Sequence, residues 1–257
     1  MAKVITIYNH KGGSGKTLIT VNLAASLAAR KYRTLIIDND GQSNASCRLG
    51  FYDRAFNMSG IFNQNLLELP IEEVPGINNL WLAPGSESLD RLGFELYKDP
   101  DAVKLYYLLD NAVRKVDDKF DFIIIDTPPS SASPLVYNSL VACDKVIVPI
   151  DSDGPNAFEG IKTVFPFISE IRGLNPRIEF MGVIINRYSD DFSSKQTEAE
   201  LKAFFKNNPR GLFKTKIWDY KNFKRAQWED KPVNSYAPGS EAAQNFLEFS
   251  KEVTRLT

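Results

Sequence analysis

Cysteine and histidine are nearly missing from this sequence, which holds only Cys47, Cys143 and His10. The two cysteines fit no metal or redox spacing and make no secreted disulfide framework; they read as reduced thiols in cytosol. Long apolar runs are missing too, and none approaches the roughly 20 residues that span a bilayer. An apolar run already begins at Val4, which leaves no room for a signal peptide. Net charge is close to nil, at −1, so the whole-protein charge does not announce a nucleic-acid binder and any basic surface must be local. There is no internal repeat and no low-complexity linker. What is present is ordinary for a globular protein: 257 residues, 43% apolar and 25% charged, enough to bury a sizeable core.

Apolar runs alternate with helical spacings along nearly the whole chain. Strands are predicted at 4–8, 34–38, 79–83, 120–126, 145–150, 178–185 and 213–217. Helices are predicted at 16–30, 59–69, 101–116, 132–142, 156–172 (with a kink at Pro166), 194–207 and 241–256, the last begun by the cap signal Pro238-Gly239-Ser240. This alternation predicts an α/β fold: one doubly wound, mostly parallel sheet flanked by helices, in a single domain over 1–257. Ligands should bind outside the carboxyl ends of the strands.

Residues 7–17, Ile-Tyr-Asn-His-Lys-Gly-Gly-Ser-Gly-Lys-Thr, close the first strand with a glycine-rich turn and open the first helix. Strand, glycine loop, Lys-Thr and helix is the geometry that holds phosphates, because loop amides converge on the anion at a helix N-terminus. Lys16 can reach the terminal phosphates and the Thr17 hydroxyl can ligate Mg2+. The strict P-loop pattern wants glycine five residues before Gly15, where His10 stands, and a second lysine, Lys11, opens the glycines. Three acids end apolar strands on the same expected edge: Asp38 and Asp40 after the second, Asp126 after the fourth. One such acid can merely cap a turn; three of them around Gly-Lys-Thr point to a metal and phosphate site.

Residues 9–17 resemble the deviant Walker A motif of the ParA/MinD ATPases, marked by a lysine just before the glycines. Residues 38–44, Asp-Asn-Asp-Gly-Gln-Ser-Asn, resemble that family's Walker A′ loop, and residues 126–129, Asp-Thr-Pro-Pro, its Walker B. Val-Pro-Ile at 148–150 with Ala-Phe-Glu-Gly at 157–160, then Pro232-Val233, Tyr236 and Ser-Glu-Ala-Ala at 240–243, resemble later segments in the right order. The resemblance implies a P-loop NTPase fold binding ATP and Mg2+. Lys11, Gly12, Gly13, Ser14, Gly15, Lys16, Thr17 and Leu18 would bind the phosphates, and Asn186 would read adenine. Thr17, Asp38 and Asp126 would form or support the metal shell. Lys11, Lys16 and Asp40 would be catalytic: Asp40 orients or deprotonates the attacking water, and Lys11 reaches the nucleotide of a partner subunit. His10 then packs or hydrogen-bonds in the loop. Gly41 departs from the family's proline after Asp40, so the switch loop is expected to be more mobile.

Between Lys202 and Lys231 stand nine Lys or Arg and three acids, with aromatics interleaved. A basic stretch of this kind suits phosphate-backbone contact, although charge alone is also met by a solvated face over core aromatics. Similarity to ParA proteins favours non-specific DNA contact, with Lys214, Lys221, Lys224 and Arg225 as candidates; Asn222 stands where the family often has arginine. No helix-turn-helix precedes the P-loop. The last helix, with Phe246, Leu247, Phe249, Val253 and Leu256, should pack on the sheet, so no membrane is expected. The resemblance implies a cytoplasmic, nucleoid-associated partition ATPase. It would dimerise on ATP binding and be stimulated by a ParB-like adaptor, weak without it. The alternative is a membrane-surface positioning ATPase of MinD type.

Overall fold

The runs at 4–7, 35–37 and 122–125 are apolar on both faces of a strand, which is stable only if layers cover both. The computed structural model, which describes residues 1–97, 102–130, 133–152 and 159–257, has that arrangement. Strands β1 (Lys3–Ile7), β2 (Thr34–Asp38), β3 (Glu72–Glu73), β4 (Leu80–Ala83), β5 (Phe122–Asp126), β6 (Lys145–Asp151), β7 (Glu179–Tyr188) and β8 (Leu212–Trp218) form one sheet. Their order is β3-β4-β2-β5-β1-β6-β7-β8. All pairs are parallel except β3 with β4. Successive side chains feed opposite layers. Ile123 and Ile125 enter one core with Leu35, Ile37, Val146 and Val148, and Ile124 enters the other with Ile5, Ile7, Ile36 and Ile147.

This is the doubly wound sheet that the alternation predicts. Strand β1 lies between β5 and β6, where the winding reverses, and the crevice at the carboxyl ends there is where such sheets bind ligands. Register places Ile7 beside Asp126 and Asp126 beside Asp38. The glycine loop and two of the three acids therefore meet at one edge.

The helix after the glycine loop, Lys16–Ala29, is buried along most of its surface. Its cover comes from late in the chain. The Val233 amide donates to Asn22 Oδ1 at 2.7 Å, and Asn234 Nδ2 donates to Ser26 Oγ at 2.8 Å. Arg30 Nη1, just past the helix, donates to Ser250 Oγ at 3.3 Å and Thr254 Oγ1 at 3.2 Å. Those last two side chains belong to the closing helix Glu241–Leu256, capped by Ser240 Oγ accepting from the Ala243 amide at 3.2 Å. Its Phe246, Phe249 and Val253 are fully buried, so the helix packs on the core as expected.

Several elements differ from the sequence reading. The helix expected at 59–69 is only Ser59–Phe62, because Leu66 folds back over Gly60. The helix expected at 101–116 is two, Ala102–Leu105 and Leu108–Arg114. At the break Tyr106 stacks on Tyr137, centroids 4.7 Å apart, and Tyr107 donates its hydroxyl to the Leu174 carbonyl at 3.0 Å. Strand β7 runs to Tyr188, so Asn186 and Arg187 lie inside it rather than beyond its end. Helices Ser88–Tyr97 and Lys221–Trp228 were not foreseen. The expected starts of the helices at 101, 132 and 156, and residues 157 and 158 of the 157–160 segment, lie outside the described residues.

Candidate active site

Two glycines shape the phosphate loop. Gly13 and Gly15 have φ of 76° and 94°, a region that glycine enters without strain. At Gly15 there is no room for a side chain either: a Cβ would lie 2.1 Å from Asn186 Nδ2, which donates to the Ser14 carbonyl at 3.2 Å. Asn9 braces the other side, its Oδ1 accepting from the Lys11 amide at 3.0 Å and its Nδ2 donating to the Pro149 carbonyl at 2.8 Å. Lys16 is buried, and its Nζ donates to the Lys11 carbonyl at 3.3 Å. Burial lowers its proton affinity, and the carboxylates of Asp126 and Asp40 work against that shift. The Lys11 side chain is exposed. His10 Nδ1 lies 3.0 Å from Thr163 Oγ1, and burial, then Lys16 and Lys11, hold the ring below the usual imidazole range.

Asp38 and Asp126 are fully buried side by side. Ser46 donates to Asp38 Oδ2 twice, from its amide at 2.7 Å and its hydroxyl at 2.6 Å. Thr20 Oγ1 donates to Asp126 Oδ1 at 3.1 Å. Asp126 Oδ2 is buried and has no partner. Both acids are held above the ordinary carboxylate range, first by burial; Asp126 adds to the shift at Asp38, and the Thr17 hydroxyl opposes the shift at Asp126. Two buried acids that resist ionising together, one with an unpartnered oxygen and with the Thr17 hydroxyl acting on its carboxyl group, fit a divalent cation. No three His, Cys, Asp or Glu among the described residues make a self-sufficient metal cage. Oxygens from phosphate and water would complete the shell, as Mg2+ prefers. Asp40, nearly buried, accepts the Gln42 amide at 3.0 Å; burial raises its pKa, which the Gln42 bond and Lys16 oppose.

A cleft of about 330 Å3 opens at this edge. Gly12, Gly13, Gly15, Lys16, Thr17, Leu18, Asp40 and Asn186 line it together with Trp218, Tyr220 and Phe223. Asn186 Oδ1 is buried without a partner, an acceptor free for an amino group. Lys11 is not among the lining residues. The cleft also has members that the sequence reading missed. Arg48 and Gln227 line it, and Thr20 and Ser46 hold Asp126 and Asp38, the two acids buried at the same edge. Ser46 sits within hydrogen-bonding reach because a four-residue helix, Asn44–Cys47, follows the Asp38 loop. No sequence motif announces that.

The four candidate DNA contacts do not share one cleft. Lys221, Lys224 and Arg225 are exposed on helix Lys221–Trp228, which buries Phe223 and Ala226. Lys224 lines the rim of the nucleotide-sized cleft. Lys214 instead lines a separate cleft of about 390 Å3 with Lys202, Lys206 and Lys216. Glu198 pairs there with Lys202 at 2.7 Å and Lys216 at 2.8 Å. Among the interleaved aromatics, Phe205, Phe213 and Phe223 are core residues, whereas Trp228 is 89% exposed.

Gly41 is buried, and a Cβ there would lie 2.2 Å from the Asp90 carboxyl group. The glycine that suggested a looser switch loop thus makes room for Asp90, from helix Ser88–Tyr97. Asp90 is exposed and its carboxyl group can turn aside, so Gly41→Ala should cost at most about 1 kcal/mol of unfolding free energy. Adding Asp90→Ala should recover most of that, giving a non-additive cycle in urea denaturation. Additive effects of the two substitutions would mean that the residues do not compete for this space.

The AAA domain family matches residues 2–180. The chain is 33% identical over 252 residues to the chromosome-partitioning ATPase Soj of Thermus thermophilus, covering 97% of this chain and 94% of that protein. Its fold is similar to that of apo McdA from Cyanothece, with TM-score 0.85 and 20% identity, covering 99% of this chain and 100% of that one. It is also similar to cobyrinic acid a,c-diamide synthase from Mycobacterium smegmatis with bound ADP and magnesium, with TM-score 0.82 and 22% identity over 99% of this chain and 95% of that one.

Proposed function

The chain belongs to the ParA/MinD superfamily of P-loop ATPases, and from that membership we propose that it is a partition-type ATPase working as an ATP-bound dimer. The observation that carries the reading is the division of labour between two loop lysines. Lys16 is buried in the cleft with Asp40 and Asp126 nearby, whereas the Lys11 side chain is exposed and outside the lining of its own cleft. A lysine so placed can serve a nucleotide held by a second subunit.

In this reading the loop amides and Lys16 hold the β- and γ-phosphates of ATP, and the amino group of adenine donates to the unpartnered Asn186 Oδ1. Thr17 and Asp126, with Asp38 behind, hold Mg2+, which neutralises phosphate charge. Asp40 orients the attacking water and takes its proton. Phosphoryl transfer of this type is chiefly positioning and charge stabilisation, so a second subunit that completes the site also switches it. The ATP-bound dimer binds DNA non-specifically through the basic residues of 202–231, and a cargo-bound ParB-like partner stimulates a weak basal hydrolysis. The protein acts in the cytoplasm on nucleoid DNA to segregate plasmid or chromosome, or to position another cargo.

Co-sedimentation with random-sequence DNA and with anionic liposomes, each with and without ATP, tests this. DNA binding should require ATP and weaken by about an order of magnitude or more between 50 and 200 mM salt. Binding to liposomes with no DNA binding under any nucleotide condition would replace this reading with the membrane-positioning one.

A further inference from the structure

Arg48 is a cation that has no ion-pair partner among the described residues. It follows helix Asn44–Cys47 directly, its amide donating to the Asn44 carbonyl at 3.1 Å. Ser46, two residues earlier, is tied to Asp38 by both its amide and its hydroxyl. The backbone that presents Arg48 is therefore fixed to the floor of the metal site. Its side chain lines the nucleotide-sized cleft together with Lys16, Thr17 and Asn186. It also lines an adjoining cleft of about 500 Å3 with Tyr52 and Trp228. Its Nε is buried and has no hydrogen-bond partner. No carboxylate among the described residues pairs with it; burial depresses its proton affinity, and Asp126 supplies the attraction that opposes this. Charged groups withdrawn from water are normally paired, since desolvation otherwise goes uncompensated. A guanidinium that shares a cleft with the glycine loop, Lys16 and Thr17 is matched by a phosphate group, which it can engage through two parallel N–H donors.

We propose that Arg48 is a nucleotide-phosphate ligand supplied by the chain's own cleft, a third cation beside Lys16 and the lysine of the partner subunit. This rests on the reading of the cleft as an ATP site. Because Arg48 shares its short helix with the Ser46 that holds Asp38, phosphate binding by Arg48 would draw the Asp38–Asn44 loop toward the nucleotide.

The test is a ligand series measured by calorimetry on the full chain: adenosine, ADP and ATP against wild type, Arg48→Ala, Arg48→Gln and Arg48→Lys, with apo melting temperature recorded for each. Arg48→Ala and Arg48→Gln should bind ATP about 10- to 100-fold more weakly, the range for a lost charge-assisted hydrogen bond. Adenosine affinity should be unchanged, and Arg48→Lys should recover part of the loss. Melting temperature should hold or rise, since an unpaired, partly buried charge has gone. Nucleotide affinities within about twofold of wild type would overturn the proposal, as would an equal loss for adenosine and ATP, which signals a deformed cleft. Failure of the wild-type protein to bind ATP would instead sink the ATP reading itself, a result obtained before any variant is compared.

Discussion

Asp40→Ala is expected to lower the ATP turnover rate by about 100- to 10,000-fold, the usual share of a positioned general base, while leaving ATP affinity within a few-fold of wild type. The carboxylate lies near the phosphate lysine without holding the phosphate loop together. Among the described residues it accepts the Gln42 amide at 3.0 Å, within the same turn. The glycine loop is braced elsewhere, by Asn9 and Asn186. Removing Asp40 therefore takes away the group that aligns and deprotonates water without opening the phosphate cradle. Dimers should still form with ATP and should persist, because nothing discharges them. Single-turnover hydrolysis alongside light scattering separates the two effects. Wild-type turnover in Asp40→Ala would assign water activation to another residue.

Lys11→Ala should have the opposite signature: nucleotide binding kept, ATP-dependent dimerisation lost. The side chain is exposed and lies outside its own cleft, while the Lys11 backbone, whose carbonyl accepts from Lys16, survives the substitution. A charge-assisted hydrogen bond is worth about 1.5–3 kcal/mol, and two-fold symmetry removes two, so the dimerisation constant should fall by about 100- to 10,000-fold. Mixing Lys11→Ala with Asp40→Ala gives a sharper result. A mixed dimer has one complete site, built from the Asp40 of one chain and the Lys11 of the other, so two nearly inactive proteins should together recover measurable hydrolysis. A monomeric Lys11→Ala protein with wild-type turnover would refute the cross-subunit role.

The parts of this molecule that could be read from sequence are those set by local rules. Apolar runs buried on both faces gave the parallel strands, and the glycine loop between strand and helix does line a cleft at their carboxyl ends. Acids at the ends of such runs had to emerge at the same edge, and Asp38 and Asp126 do so in register. What escaped was set by neighbours distant in sequence. Tyr106 and Tyr107 break an otherwise continuous helical pattern because Tyr137 and Leu174 engage them. Gly41 looked like slack in a loop, and the reason for it lies on another helix, in Asp90. Arg48 has no motif around it and gains meaning only beside the phosphate loop. The basic stretch at 202–231 was ambiguous for the same reason: burial of Phe205, Phe213 and Phe223, exposure of Trp228 and pairing of Lys202 and Lys216 with Glu198 are tertiary facts.

The attachment of the phosphate-loop helix to residues 233–254 bears on the order of folding. Asn22, Ser26 and Arg30 wait for Val233, Asn234, Ser250 and Thr254, more than 200 positions later. Strands β1, β2 and β5 can pair early and cover one side of this helix, whereas its other side waits for these distant partners. Such long-range closure is slow to form. The glycine loop should therefore gain its full grip on nucleotide late in folding, when the far segment docks, rather than with the first strands.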